Sequence, residues 1–427
     1  MIADAQADVA VVGAGPAGCV TALAFARQGA RVLLLEAQPH NKRLAGEWLH
    51  PPGVEVLRNL GVPPIAAAAH HPPGRGFVVF PGNGSEPIVL KYPDGELGLT
   101  CEHHAFVSAL RTTALDHRQV RFLPSTRVTH LEKRRLGASN LAGESRTFDA
   151  DLIVGADGRS SLTRRCLGIP DERTLVSHMA GVLLEDAELP FEGFGHLFLG
   201  GPGPMFVSRI GPAHIRACID VPVNSSRCLK NGDGLWQAYR AALPATLHAP
   251  FRRALEGQSI AWAANQWRPR VHYGREGVAL VGDAVGHFHP LTAVGMTLGF
   301  LDGYALAQSK CFRDYRNQRT AASRVPELLS MGLHNLFTLQ DTGTVALRNA
   351  LFTMWRQSPT ECRETMRLLS GEQTNAEHFV RAFLKVVVLG LQQVFKDTLG
   401  SWHFRHLADS LKSFARWLGW LAAGTVR

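Results

Sequence analysis

Six residues near the N-terminus constrain this chain more than any others. Gly13-Ala14-Gly15-Pro16-Ala17-Gly18 lies between the apolar run Val9 to Val12 and an Ala-rich stretch reaching Arg27. A second apolar run, Arg31 to Leu35, follows and ends at Glu36. The order reads as strand, tight turn, helix and strand, the context in which G-x-G-x-x-G has a physical meaning. Gly13 permits the turn, Gly15 lets the backbone approach a pyrophosphate, and Gly18 lets the helix close on the strand, with Pro16 and Ala17 in the same turn. The positive end of the helix then faces the phosphates. Glu36 stands where it can accept hydrogen bonds from a ribose. A Gly-rich loop that only turned a corner would not need that acid. A dinucleotide therefore binds here, and this segment alone is compatible with FAD or NAD.

With 427 residues, 45% hydrophobic and 19% charged, the chain has the composition of a folded enzyme of two or three domains. Its seven cysteines, at 19, 101, 166, 218, 228, 311 and 362, form no C-x-x-C and no Cys/His zinc spacing, which implies a reducing compartment and no structural metal. Met1 to Asp8 lacks the basic and apolar regions of a signal peptide, so a cytoplasmic location is expected. A net charge of +9 favours acidic partners in general. Without a zinc finger, RNP-like or basic-helix pattern, nucleic acid is not expected among them.

Two later segments decide the cofactor. Asp151 to Gly158 is an apolar strand ending in Asp157-Gly158, and Gly277 to Ala284 is another ending in Gly282-Asp283. With the first fingerprint, these resemble the three sequence marks of flavoprotein monooxygenases of the p-hydroxybenzoate hydroxylase type. The third mark, at Gly282-Asp283, is followed by His287-Phe288-His289-Pro290-Leu291-Thr292-Ala293-Val294-Gly295-Met296-Thr297. This is similar to the squalene epoxidase (squalene monooxygenase) motif, in which Gly-Asp-Ala is followed by His-Pro-Leu-Thr, a glycine triplet and Met-Thr. Arg43 to Pro51 resembles that family's Arg-x-x-Gly-Glu-(aromatic)-Leu-x-Pro, and the likeness extends weakly to the C-terminal helices.

The resemblance implies an α/β protein: a Rossmann-type FAD-binding domain (1–75, 100–175 and 270–320) interlaced with an antiparallel β-sheet substrate domain (76–99 and 176–269), plus a C-terminal helical region (321–427). It places Arg43, Asp283 and Met296 against the flavin, and Gly295 where the backbone meets the isoalloxazine edge. Two departures bear on substrate and flavin affinity. Ala293-Val294-Gly295 replaces the glycine triplet, adding side chains beside the ring, and Ala105 stands where the family has an Arg.

The implied reaction inserts one oxygen atom of O2 into an apolar substrate, most simply by epoxidation of a terpene or polyene through a C4a-hydroperoxyflavin. A flavin carries that chemistry itself, so no acid/base pair is obligatory. Leu291, Thr292 and Gly295 are the candidate residues nearest the reaction, on a helix expected from Thr292 to Leu306 whose N-terminal amides face the flavin. His287 and His289, like His103 and His104, lack a third ligand and read as loop or pocket-wall residues rather than a metal site. Phe194, Phe198, Phe206 and Trp262 are candidate wall residues.

No second dinucleotide fingerprint appears, so NADPH either binds transiently or donates through a separate reductase. Competing readings are hydroxylation of an aromatic or lipid-like metabolite, and an isoprenoid reductase or dehydrogenase without oxygen transfer. A halogenase is disfavoured because no two Trp stand two apart. A non-enzymatic flavin carrier would hold a flavin that no donor reduces.

From about Val325 the chain reads as helices. Phe379 to Phe395 is interrupted by Arg381 and Lys385 and falls short of a spanning helix. Leu411, Phe414, Leu418 and Leu421, with Trp417 and Trp420, read equally as core packing or as an interfacial helix on the inner face of a membrane. Basic residues outnumber acidic ones seven to three from Ala376 onward.

Overall fold

The computed structural model describes residues 6–38, 46–62, 73–225, 228–257, 260–401 and 404–426. Its first layer is an eight-stranded sheet with a parallel centre. Ala7–Val12 lies between Val32–Leu35 and Ser145–Gly155, with Val278–Leu280 beyond the latter. The central strands are near-continuous apolar runs because both faces are covered. Helices Pro16–Arg27 and Gly295–Gln308 pack on one face, and the hairpin Thr126–Glu132/Arg135–Asn140 covers the other.

Register brings the sequence marks together. Val12 pairs with Gly155, and Gly155 pairs with Leu280, in parallel ladders. The turns that follow these three residues therefore leave the same end of the sheet, where open α/β sheets bind ligands.

The helix expected from Thr292 begins instead at Gly295. Pro290–Thr292 forms a single 3-10 turn, and Ala293 takes a left-handed backbone at φ 54°, which no right-handed helix continues. Val294 packs with Phe288 and Leu298 and, with Ala293, lines the cleft. The Gly295 helix crosses Pro16–Arg27 closely. A Cβ on Gly299 would stand 3.2 Å from Ala17 Cβ, and one on Gly303 would stand 2.2 Å from Thr21 Oγ1. Only glycine permits this approach, and it sets the N-terminus of one helix beside that of the other.

The second sheet has seven strands in the order Ala261–Trp267, Thr174–Glu185, His214–Pro222, Met205–Arg209, Phe194–Phe198, Gly76–Phe80 and Ile88–Lys91. It is antiparallel as expected except for one pair. Phe194–Phe198 runs parallel to Gly76–Phe80, because the chain crosses through the first sheet between them.

Helices begin earlier than Val325. Phe312–Thr338 is one 27-residue helix with Pro326 inside it. Ala376–Ser401 is likewise longer than the apolar stretch suggests. Within Ala376–Leu399 an 18-residue window has a mean hydropathy of 1.3, so the helix is long and apolar enough to cross a membrane by length and composition alone, which corrects the shorter reading. The final stripe divides: Phe414, Trp417 and Leu421 are buried, whereas Leu411 and Leu418 face outward. Trp417 donates its indole N–H to Thr344 Oγ1 at 3.0 Å.

Candidate active site

The nucleotide turn is built as its glycines require. Gly13 has φ +101°, and a Cβ there would lie 2.6 Å from the Ala156 carbonyl oxygen. A Cβ on Gly18 would lie 1.9 Å from the Gly13 carbonyl oxygen, so helix and turn touch backbone to backbone. Gly15, by contrast, faces open space, and it precedes helix Pro16–Arg27 with no side chain capping the first amides. Those amides are free for an anion. Glu36 accepts the Ala14 N–H at 2.9 Å and the Gln38 N–H at 2.7 Å. Arg111 lies 3.2 Å from its carboxylate and donates to the Ala14 carbonyl at 2.8 Å. Ala105 stands in the first turn of the helix His103–Leu115, from which Arg111, further along, reaches the nucleotide turn.

Gly15, Pro16 and Ala17 line one continuous cleft with Gly158, Gly282 and Asp283. Asp157 itself turns inward, accepting from Ser161 Oγ at 2.5 Å and the Thr163 N–H at 3.0 Å, so it shapes the loop that presents Gly158. The Asp283 carboxylate pairs with Arg159 Nε at 3.1 Å. Low-dielectric surroundings would raise its pKa, but the guanidinium groups of Arg159 and Arg270 outweigh them and hold it below the usual carboxylate range. His287 is buried with both ring nitrogens unbonded among the described residues. Burial pushes its pKa down to about 4, so the ring is neutral at pH 7. The open Gly15 cradle, the uncapped helix and this unsatisfied imidazole fit an FAD laid along the cleft. Arg43 lies outside the described residues.

The segment carrying Leu291 and Thr292 is pinned by a chain of hydrogen bonds. Trp48 Nε1–H donates to Tyr92 Oη at 2.9 Å, and the Tyr92 hydroxyl donates to His50 Nδ1 at 2.6 Å. His50 Nε2–H then donates to the Thr292 carbonyl at 2.8 Å. His50 N–H also reaches Thr297 Oγ1 at 3.0 Å. Both ends of the loop are thereby fixed from one buried histidine. Gly295 and Met296 line the cleft, and a Cβ on Gly295 would project into open space.

Asp302, five residues beyond the quoted motif, anchors the neighbouring turn. Fully buried, it pairs with Arg270 and with Arg319 Nε at 2.8 Å, and accepts the Gly282 N–H at 3.0 Å. Arg270 in turn donates to the Gly282 and Gly286 carbonyls at 3.0 and 2.9 Å. One charged cluster thus sets the backbone from Gly282 to Gly286.

The cleft opens into a cavity against the second sheet, about 390 Å³ in all. Alternation along His214–Pro222 turns Arg216, Cys218 and Asp220 to the cavity, while Ile215, Ala217 and Ile219 enter the core behind. Trp48, Phe206 and Leu291 supply apolar wall. Of the other aromatic candidates, Phe198 is core, Phe194 is buried in its strand, and Trp262 is 41% exposed. His103 lines the cavity, whereas His104 does not.

His289 has partners that sequence distance concealed. Its Nδ1 accepts the Leu291 N–H at 3.2 Å, so Nε2 carries the proton and donates to Asp220 Oδ1 at 2.8 Å. His334 Nε2 reaches Asp220 Oδ2 at 3.1 Å, and Asn265 Nδ2 donates to Oδ1 at 3.1 Å. Ser177 Oγ completes the set. Burial would raise the Asp220 pKa, yet its hydrogen bonds from His289 and His334 hold it far below the usual range. Four donors around one buried carboxylate make a rigid polar floor. Asp220 and His334 carried no sequence signal.

Known proteins agree with this geometry. Residues 6–312 match the family model described as FAD binding domain. The chain is 30% identical to squalene epoxidase 1 of Arabidopsis thaliana over 85% of its own length and 70% of that protein. It is 29% identical to the squalene epoxidase of Aspergillus fumigatus, covering 81% of this chain and 78% of that one. Among solved structures, a flavin-dependent brominase superposes with a TM-score of 0.71 at 18% identity, over 90% of this chain and 97% of the other. A flavoprotein/dehydrogenase from Cytophaga hutchinsonii gives 0.74 at 16%, over 92% and 100%; at these identities the likeness is one of fold. The chain belongs to the FAD-binding-domain family and, within it, is a squalene epoxidase-like FAD-dependent monooxygenase.

Proposed function

We propose that this protein transfers one oxygen atom of O2 to an alkene of a polyene-like, predominantly apolar substrate, forming an epoxide. The observation that carries this reading is the continuity of the cleft. The turns at Gly15 and Asp283 share one cavity with Trp48, Phe206 and Leu291, so a cofactor held at one end meets an apolar chain held at the other. When bound, FAD supplies the activation of dioxygen; the chain's own residues hold, orient and keep water out. Gly13, Gly15, Gly18 and Glu36 would take the nucleotide, and Gly158, Gly282 and Asp283 the middle of the cofactor. The amides after Val294, at the start of a 14-residue helix, would stabilise negative charge on the ring. We read NADPH, directly or through a reductase, as the electron source.

Peripheral membrane contact on the cytoplasmic side belongs to the same proposal. Leu384, Val388, Phe395 and Leu399 recur on one exposed helix, with Leu411 and Leu418 exposed on the next, and such rows bind an interface when basic residues flank them.

The test is an aerobic, reductase-coupled incubation with squalene and with a cell lipid extract under isotopically labelled dioxygen, read by mass spectrometry. A product carrying one labelled oxygen is expected. Products that have lost hydrogen without gaining oxygen would contradict the proposal and favour a dehydrogenase.

A further inference from the structure

Arg216 is 4% exposed and lines the cavity, yet its Nε and Nη1 have no hydrogen-bond partner among the described residues. A buried guanidinium without a counter-charge is costly unless a ligand supplies one. The acids on the same wall are already engaged. Asp220 is held by His289 and His334, and Glu102 pairs with His214 Nδ1 at 2.5 Å. At the cofactor end, Asp283 pairs with Arg159.

The wall is shaped to receive this side chain. Gly181, on the neighbouring strand, leaves the space where the guanidinium rests: a Cβ there would lie 1.9 Å from Arg216 Nη2 and 2.6 Å from Cζ. Ser208 pairs with Arg216 across the ladder and lines the same cavity.

We propose that Arg216 is a substrate-anchoring residue, and that the substrate is an apolar polyene carrying a single carboxylate. The inference rests on the oxygen-transfer reading above and narrows its substrate class. One guanidinium balances one negative charge, and its planar fork matches the two oxygens of a carboxylate. Anchoring one end at the sheet fixes which double bond reaches the cofactor end, a selection that apolar walls alone make weakly.

Arachidonic acid and its methyl ester, titrated into oxidised holoenzyme and followed by flavin absorbance, test the anchor. The wild type should bind the acid about tenfold or more tighter than the ester. Arg216→Met should equalise the two while keeping its FAD. Gly181→Ala retains the charge but displaces the guanidinium, and should reduce the preference severalfold; because the intruding methyl meets only the end of a flexible side chain, the fold tolerates it. Equal binding by wild type, or a preference that survives Arg216→Met, overturns the inference. Loss of FAD from Arg216→Met would assign the guanidinium to the cofactor and also overturn it. Labelled-oxygen incubations on the same preparation separate the two readings. Equal acid and ester binding with oxygen still incorporated removes the anchor alone. An acid preference lost in Arg216→Met, with no oxygen incorporated into any polyene, leaves the anchor standing and removes oxygen transfer.

Discussion

Asp302→Asn is expected to cost about 3–5 kcal/mol and to empty the FAD site, the largest effect of any single substitution considered for this chain. The asparagine is nearly the same size, so packing is unchanged. What disappears is the charge between Arg270 and Arg319, both at most 5% exposed in their side chains. Two buried cations then face each other without an anion. The Gly282 amide loses its carboxylate acceptor, and Arg270 is released from the Gly282 and Gly286 carbonyls it now holds. The turn that carries Asp283 should loosen before the whole fold melts. Urea unfolding by circular dichroism gives the stability change, and flavin content gives the local one. A variant with wild-type midpoint and full flavin would show that this cluster does not organise the site.

Acid should act nearly as strongly. Burial pushes the pKa values of His50, His196 and His287 from 6.5 down to about 4, so all three are neutral in the fold at pH 5 and charged in the unfolded chain. The unfolded state then binds more protons, and stability falls as pH drops from about 6.5 toward 4. Each contributes roughly 2 kcal/mol of loss at pH 5, on the order of 6 kcal/mol together. Glu327, raised by burial, opposes the trend, because a raised carboxyl gains stability as pH falls. His50 gives the effect a local signature. Once protonated at Nδ1, it cannot accept the Tyr92 hydroxyl, and the bond chain breaks at that link while Nε2–H still donates to the Thr292 carbonyl. Thermal unfolding between pH 7 and pH 5 should show a steep decline accompanied by flavin release; a flat profile would contradict the neutral-histidine assignment.

Legibility in the sequence followed physical range. The Gly13 turn was readable because a strand, a turn and a helix lie within thirty residues and glycine alone accepts the Gly13 backbone. The parallel neighbours ending at Gly155 and Leu280 were readable as apolar runs closed by Asp-Gly and Gly-Asp. Asp157 also braces its own loop through Ser161 and Thr163, a role that an Asp-Gly pair in the sequence does not reveal. Ala293 and Val294 both line the cleft, but the left-handed turn at Ala293 that directs them leaves no mark in the residue pattern.

The unread parts are contacts across long separations. Asp220 meets His289 over 69 positions and His334 over 114. Arg216 looks like any charged residue on an alternating strand until the structure shows which face it takes. In the C-terminal helices the period was clear, but periodicity does not say which side of a stripe meets another helix; Trp417 faces in and Leu418 faces out.

The central claim is that turns near positions 13, 157 and 283 hold a single FAD. Titrating purified apoprotein with FAD, with quenching of flavin fluorescence as readout, tests it most directly. Saturation at one FAD per chain is predicted, with no binding by Gly295→Trp, whose indole would fill the open space at the helix start. Wild-type protein that stays colourless and takes up no FAD, or a Gly295→Trp variant that binds it normally, would contradict the account.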